Sequence, residues 1–377
     1  MKYRFSEITV NHDSKRIPLS AKQRESRKGK YPYYGAQGVI DYIDDYIFDG
    51  KYLLIAEDGE NLRSKKQKIA QLANGQYWVN NHAHIVQTNE RCLIEYLYYV
   101  FNTIDISGYI TGSAQPKLSQ ANLNAIELEI PSIDEQEKIV AILSALDDKI
   151  ELNQKINENL ERQAQILFAE RFSGFTKDSL PNGWKLVQLG DVAIICNKSF
   201  NPAKEPETLL EHYSIPAFDE TRFPVFELST NIKSNKFRID SDCFMISKLN
   251  PTTKRVWKPY CISDQAVCST EFIVYKAKER SLTDFLYSLI DSESFSDFMC
   301  SHVTGSTGSR QRTTPSDTLQ FEFAMPSTNE IAEFTAIVQP MYHQIKVNTV
   351  ENDRLKQLRD TLLPKLMSGE IDIMEVY

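Results

Sequence analysis

Residues 131–167, PSIDEQEKIVAILSALDDKIELNQKINENLERQAQIL, and residues 326–362, PSTNEIAEFTAIVQPMYHQIKVNTVENDRLKQLRDTL, carry one pattern twice. A constant offset of 195 aligns Pro131 with Pro326, Ile142 with Ile337, Leu146 with Met341, Ile150 with Ile345, Leu160 with Leu355 and Leu167 with Leu362. Apolar residues spaced by three and four lay a stripe along one face of a helix, so each copy reads as a long helix with a heptad seam. The same offset pairs Asn153 with Asn348 and Asn157 with Asn352, which interrupt both seams. Leu152 and Val347 also share it and fall off the main seam. A repeat of this length is an internal duplication.

Working outward, the duplication extends upstream of each helix. The loop TGSAQPKL at 111–118 precedes Leu123, and TGSRQRTT at 307–314 precedes Leu319. Here the offset is 196, which sets Arg312-Thr313-Thr314 against Pro116-Lys117-Leu118 and places the loss of one residue between loop and helix. Residues 1–133 read as mixed α/β, with strands at Lys51–Glu57 and Trp78–Val86, turns at Asp49-Gly50 and Asp58-Gly59, and a helix at Leu93–Phe101. Residues 134–172 form the first long helix, capped by Ser132 or Asp134. The stretch 173–183, SGFTKDSLPNG, is a linker. Residues 184–327 repeat the mixed domain, with Cys243–Leu249, Val267–Val274 and Leu282–Leu289 answering the two strands and the helix. Residues 328–377 hold the second helix, from about Asn329 to Met367, closed by Ser368-Gly369. Pro340 is expected to break or bend its first turns, because it lacks the backbone donor.

The short linker spans at most ~40 Å fully extended, so the second helix starts near the end of the first and the two run antiparallel. The expected fold class is α+β: two mixed α/β domains separated by two long antiparallel helices forming a coiled coil, with internal pseudo-twofold symmetry. In that pairing Asn153, Asn157, Asn348 and Asn352 meet at the middle, where buried asparagine fixes register at a cost in stability. Rotation of the four to the solvated edge of the seam satisfies the pattern equally. Roughly 36 helical residues make a ruler of about 50 Å, or about 15 base pairs of duplex.

At 377 residues and 41% hydrophobic, the chain has material for more than one core. It has no apolar run fit to span a bilayer and no hydrophobic stretch at its start, so the expected setting is cytoplasmic, with no membrane partner. Cys92, Cys196, Cys243, Cys261, Cys268 and Cys300 form no CxxC pair and read as buried reduced thiols. The net charge of −8 argues against nucleic acid. Its distribution argues the other way. Lys15, Arg16, Lys22, Arg24, Arg27, Lys28 and Lys30 crowd one stretch, and Arg63, Lys65, Lys66 and Lys68 a second. Lys233, Lys236, Arg238, Lys248, Lys254, Arg255 and Lys258 do the same in the second half, while acids gather from Asp41 to Asp49. Charge runs of this kind serve as solvated loops or as a surface for phosphates; their recurrence in both halves favours phosphates.

Catalytic signatures are missing from the sequence. The stretch 305–310 has glycines but no GxxxxGK[ST] lysine. Asn250-Pro251-Thr252-Thr253 resembles the start of an adenine methyltransferase loop without its second proline or aromatic, and reads as a turn. His82 and His84 share one face of the expected strand, with no third ligand near. No metal or cofactor is expected on this chain.

Candidate DNA contacts lie in the polar loops of the repeat: Gly112, Ser113, Gln115 and Lys117, and Gly308, Ser309, Arg310, Gln311 and Arg312. Hydroxyls suit phosphate, Gln suits adenine edges and Arg suits guanine edges, while glycine lets backbone approach. A tight connection into the next strand explains the same residues. Tyr34, Gln37, Asn80, Asn81 and His82 are further candidates that equally serve to fill the domain. The strands and heptads repeat, whereas Tyr33–Asp45 finds only a distant echo in Tyr213–Phe226. Divergent loops on a shared scaffold would read two different sequences.

These residues resemble the specificity subunit of type I restriction-modification systems along nearly the whole chain. The matching stretches are 31–59 (YPYYGAQGVIDYIDDYIFDGKYLLIAEDG), 78–86 (WVNNHAHIV), 111–140 (TGSAQPKLSQANLNAIELEIPSIDEQEKIV), 180–192 (LPNGWKLVQLGDV) and 358–371 (LRDTLLPKLMSGEI). The resemblance implies two target recognition domains alternating with two conserved helical regions, in a noncatalytic subunit that reads a bipartite, asymmetric site on double-stranded DNA. It implies two methylation subunits as partners, using S-adenosylmethionine, and through them restriction subunits driven by ATP with Mg. Two other classes fit the composition: a coiled-coil scaffold whose end domains bind proteins, and a self-sufficient DNA-modifying enzyme.

Overall fold

The computed structural model describes residues 1–65, 67–305 and 311–371. Contacts divide the chain into two compact units, one of residues 1–148 with 355–377, the other of residues 149–354.

In the first unit, the strands Thr9–Asn11, Ala83–Thr88, Tyr52–Ala56 and Ala70–Ala73 form one antiparallel sheet in that order. A second sheet orders Gly38–Ile43, Lys28–Gly35, Gln76–Val79 and Phe48–Asp49, with Lys28–Gly35 and Gln76–Val79 parallel. The run YLLIA is buried at every position because both of its faces are covered. Leu53, Ile55 and Val86 pack with Leu97 and Phe101 of the helix Ile94–Phe101 in the main core of the unit.

The second unit repeats the plan. Ala193–Ile195, Phe272–Ala277, Cys243–Ser247 and Val256–Trp257 form the four-stranded sheet, and Leu209–Tyr213 runs parallel to Ala266–Ser269 in the other. Each domain also pairs its first strand with its last: Lys2–Arg4 with Glu127–Glu129, and Lys185–Gln188 with Glu322–Met325. Insertions in the second domain distinguish the copies, the helix Glu293–Ser301 among them. A short turn joins Gly35 to Gly38 in the first domain, whereas the helix Ile215–Thr221 stands between Tyr213 and Val225 in the second.

The expected strand Trp78–Val86 is in fact two, Gln76–Val79 and Ala83–Thr88, belonging to different sheets. Val267–Val274 divides in the same way, into Ala266–Ser269 and Phe272–Ala277. Apolar runs on either side of a polar turn look continuous to a periodicity argument, and only the change of sheet separates them.

Each long helix has 40 residues, Ile133–Phe172 and Thr328–Met367. Ser132, rather than Asp134, caps the first. Ser132 N–H donates to Glu135 Oε2 at 2.9 Å, and Glu135 N–H returns to Ser132 Oγ at 3.3 Å. Ser327 and Glu330 repeat this capping box at 3.0 and 3.4 Å, again 195 residues on. The second helix does not break at Pro340, which stays inside it with an exposed side chain. The helices pack together antiparallel within each unit. In the first, Ile139 and Leu143 share a core with Leu363 and Leu366, and Asp147 binds Arg359 at 2.6 Å. In the second, Phe168 and Phe172 share one with Phe334 and Val338.

The four asparagines sit on the seam and not on its solvated edge. Asn153 Nδ2 donates to Asn352 Oδ1 and Asn348 Nδ2 to Asn157 Oδ1, each at 2.9 Å. Asn153, Asn348 and Asn352 are buried and Asn157 is half-buried. The six cysteines are free thiols; Cys92, Cys243 and Cys268 are buried as expected, but Cys196, Cys261 and Cys300 are only half-buried. Among the described residues, no helix is long and apolar enough to cross a membrane.

Candidate nucleic-acid interface

Backbone hydrogen bonds gather the polar loops of the first domain at one edge. The strand Tyr52–Ala56 runs into Glu57, whose N–H donates to His82 C=O at 2.9 Å; Leu118 N–H donates to Glu57 C=O at 2.8 Å. Gly59 N–H reaches Pro116 C=O at 3.1 Å, and Asn80 N–H reaches Tyr34 C=O at 3.0 Å. Thr111 and Lys117 exchange two backbone bonds of 2.8 Å, closing the loop between them. Gly112 in that loop has φ +84, and a Cβ there would stand 2.2 Å from Gln115 O, so glycine is required. Arg63 fixes the loop from outside, donating to the carbonyl oxygens of Ser113, at 3.1 Å, and Gly112.

Beneath the loop lies a chain of charges. Lys117 Nζ is 3.2 Å from Glu57 Oε1, and Arg16 Nη1 is 2.7 Å from Glu57 Oε2. The buried His84 ring contacts Asp13 Oδ2 through Nδ1 at 2.6 Å and Leu118 O through Nε2 at 2.7 Å. Burial alone would raise the Asp13 carboxyl, but its bonds to His84, to Ile85 N–H and to Asn11 hold it below the usual carboxylate range. Glu57 is likewise held low against its burial by Arg16, His84 and Lys117.

The second domain rebuilds this frame with other side chains. Thr313 N–H donates to Lys248 C=O at 3.1 Å, Asn250 N–H to Gln311 C=O at 2.9 Å, and Lys248 N–H to Glu271 C=O at 2.9 Å. Gln311, Arg312 and Thr313 therefore occupy the places of Pro116, Lys117 and Leu118, correcting the sequence alignment by one residue. The offset is already 195 at Lys117, and Thr318, not Leu319, answers Leu123: Ile126 N–H bonds Leu123 C=O as Phe321 N–H bonds Thr318 C=O, both at 3.2 Å. Thr304, not Thr307, answers Thr111: each hydroxyl donates to the carbonyl of the equivalent cation, Arg312 at 3.0 Å and Lys117 at 3.2 Å, so the second loop is the longer one and the repeated Thr-Gly-Ser at 304–309 biases an ungapped comparison.

The candidates differ in what they present. Gly112, Ser113, Gln115, Lys117, Gln37, Asn81 and His82 are exposed, and Tyr34 is half-buried with its phenol raised by burial. Asn80 is buried and its Oδ1 accepts from His82 N–H at 2.8 Å, so it shapes the turn. His82 lies in that turn and His84 in the strand, so they do not share a strand face as expected. Gln311 and Arg312 are half-buried, and Arg312 binds Glu271 through Nε at 3.0 Å. Gly308, Ser309 and Arg310 lie outside the described residues, as does Lys66. Asn250 to Thr253 is a turn, with Thr253 N–H donating to Asn250 C=O at 2.9 Å.

Asp58 and Glu271 belong to these edges with no motif in the sequence to mark a binding role, whereas Arg63 and Lys248 stand there as members of the basic clusters. The one available signal was position: Glu57-Asp58-Gly59 ends a buried strand in a turn, where loop side chains are presented.

The charge clusters also read differently in space. Lys28–Gly35 pairs antiparallel with Gly38–Ile43, which folds the acidic run onto the basic one. Arg24 and Lys28 bind Asp41 at 3.2 and 2.6 Å, and Arg27 binds Asp44 at 2.9 Å. Lys254 and Arg255 bind Asp291 and Asp219. Among the described residues, Lys15, Lys22, Lys30, Lys233 and Lys248 make no salt bridge, leaving positive charge for an outside anion.

A cavity of about 640 Å³ in the second unit is lined by Trp257, Tyr260, Tyr287 and Tyr342. Its charges are largely spoken for internally: Lys258 with Asp284, Arg222 with Glu161, Arg280 with Asp242. Among the described residues, no three His, Cys, Asp or Glu side chains converge as metal ligands.

The fold defines an internally duplicated class of protein, in which two mixed α/β domains accompany two paired antiparallel helices and each domain carries a polar edge. Residues 3–162 match the family model described as type I restriction modification DNA specificity domain. A putative type I restriction enzyme specificity subunit of Haemophilus influenzae is 34% identical over 142 residues, 38% of this chain and 36% of that protein's length. The MjaIX specificity subunit of Methanocaldococcus jannaschii is 27% identical over 75% of this chain and 70% of its own length. The crystal structure of a type I restriction-modification S subunit from M. genitalium shares the fold, with a TM-score of 0.60 at 14% identity over 97% of this chain and 95% of that one. Over residues 3–162 this chain is therefore similar to the type I restriction-modification DNA specificity domain, and along its length it shares the fold of a solved S subunit.

Proposed function

We propose that the chain is the noncatalytic DNA-reading subunit of a type I restriction-modification complex. One observation carries this: the same backbone frame holds a polar edge in both domains, with different side chains on it. Lys117 and Arg312 are equivalent cations, but the first lies against Glu57 and the second against Glu271. Two readers with unlike edges recognise an asymmetric, bipartite site on double-stranded DNA, one half-site each. The reading domains are residues 1–133 and 184–327, joined by the helical regions 134–172 and 328–377 and the linker 173–183. The helices set the spacer.

Phosphate contact falls to the lysines without acid partners and to Ser113 and Lys117, base contact to Gln115, His82, Gln37, Gln311 and Arg312, with Tyr34 and Asn81 beside them. Gly308, Ser309 and Arg310 complete the second reader. Two methylation subunits carry S-adenosylmethionine, and restriction subunits carry ATP and Mg, all in the cytoplasm. Leu152 and Val347 are 53% and 44% exposed, and as equivalents on the two helices they offer matching apolar contacts to identical partners. Genome-wide methylation mapping in a host carrying this chain and its methylation subunit tests the reading. One bipartite motif is expected, and exchange of residues 1–133 for another such domain should change one half-site only. Changes in both halves, or no motif, would contradict it.

A further inference from the structure

The turn between the two sheets places one side chain at the same point of both edges. In the first domain it is His82. Its N–H is bonded by Asn80 Oδ1 at 2.8 Å, and its C=O accepts from Glu57 N–H at 2.9 Å. In the second domain it is Glu271. Its N–H is bonded by Ser269 Oγ at 3.2 Å, and its C=O accepts from Lys248 N–H at 2.9 Å. A polar side chain two residues earlier caps the turn in each case, so the two residues are structural equivalents although their chemistry differs.

Each is also held by a charged partner at its base. His82 Nδ1 lies 2.8 Å from Asp58 Oδ2 and 3.0 Å from Asp58 Oδ1. Glu271 takes Arg312 Nε at 3.0 Å on Oε2 and Arg312 Nη2 at 3.2 Å on Oε1. A carboxylate only accepts, so His82 Nδ1 carries the proton, and in the neutral form of the ring the acceptor is Nε2. The Glu271 oxygens keep lone pairs beyond those engaged by Arg312. The side chains are 47% and 29% exposed, so both acceptors are open to a ligand. Chemically unlike residues thus arrive at one function: an orientated hydrogen-bond acceptor.

Resting on the DNA-reading function above, we infer that His82 and Glu271 are equivalent specificity-determining residues, each accepting a hydrogen bond from the exocyclic amino group of one base in its own half-site. In the major groove only cytosine N4 and adenine N6 donate. Asp58 positions His82 by selecting the ring tautomer, and Arg312, besides its own place at the edge, positions Glu271 by aiming the carboxylate.

The test uses the full chain assembled with its methylation subunit and a duplex library randomised at both half-sites, read by sequencing methylated products. Glu271→Ala should relax preference at one position of one half-site, by roughly 5- to 150-fold, and His82→Ala at one position of the other. The base at each such position should be cytosine or adenine. Replacing its amino group by hydrogen, with purine or 2-pyrimidinone, should cost the wild-type complex a similar factor and the matching variant nothing further. Retained reading of the untouched half-site reports that each variant is folded. Relaxation at guanine or thymine, unchanged preference in both variants, or indifference of the wild type to loss of the amino group would overturn the inference alone. A wild-type complex that methylates no bipartite site would overturn the DNA-reading function with it.

Discussion

Asn153 faces Asn352 across the two long helices, and shifting the first forward and the second back by 195 gives Asn348 and Asn157, which hold the same amide bond at the same 2.9 Å, donor for donor. The duplication is therefore present in the bonding and not only in the spelling. Thr349 Oγ1 accepts from Asn157 Nδ2 at 3.1 Å, and Glu351 accepts from Asn153 Nδ2 at 2.7 Å, so the cluster meets most of its polar demand inside the seam.

A buried amide that loses its partner costs about 1–3 kcal/mol, whereas removing both partners is nearly neutral. Asn352→Ala should destabilise the chain by that amount in denaturant unfolding. Asn153→Leu with Asn352→Leu should recover most of it, since leucine fills the seam without a polar demand. A double variant no better than the single one would show that the asparagines do more than pair.

The Asp13 and Glu57 carboxyls make a prediction about pH. Both are held below their ordinary values in the fold, so they stabilise it above the usual carboxylate range and cease to do so as pH falls through their folded values. Stability of the first domain should drop on acidification below about pH 4. Asp13→Asn, which keeps the shape and removes the titrating group, should flatten the pH dependence of urea unfolding across that range. An unaltered slope would show that the bond to His84 contributes nothing.

The helices and their antiparallel pairing were legible because heptads and duplication are one-dimensional signals, whereas the spacing of the asparagines fitted the seam and its solvated edge equally. The polar edge was legible in part. Gly112 to Lys117 stood out as a repeated loop, but Asp58 and Glu271 join it through pairings between strands distant in sequence. The basic clusters misled for the same reason: Asp41 lies next to Lys28 only once a hairpin has folded, and no count along the chain reveals that neutralisation. His82 and Glu271 differ in residue type and stand 189 positions apart, off the 195 register of the helices, so their equivalence appears only in backbone hydrogen bonds.

Gly112 gives a prediction about the loop itself. With φ at +84 and the Gln115 carbonyl 2.2 Å from any added Cβ, Gly112→Ala cannot keep the loop shape. Overall stability should change by about 1–2 kcal/mol, while affinity of the methylation complex for its duplex should fall tenfold or more as Gln115 and Lys117 shift. Binding equal to wild type would remove this loop from the interface.

Pro340 supplies a test that should leave DNA reading untouched. It sits in the exposed face of a continuous helix, where proline forgoes one backbone bond and crowds the carbonyl four residues earlier, at a cost of about 3 kcal/mol in an isolated helix. The buried neighbours Phe334, Val338 and Ile345 hold the helix in place despite that cost. Pro340→Ala should therefore raise the melting temperature by several degrees, with the methylated motif unchanged. Destabilisation by the alanine variant would mean that the proline sets a bend which the packing of Val338 and Ile345 requires.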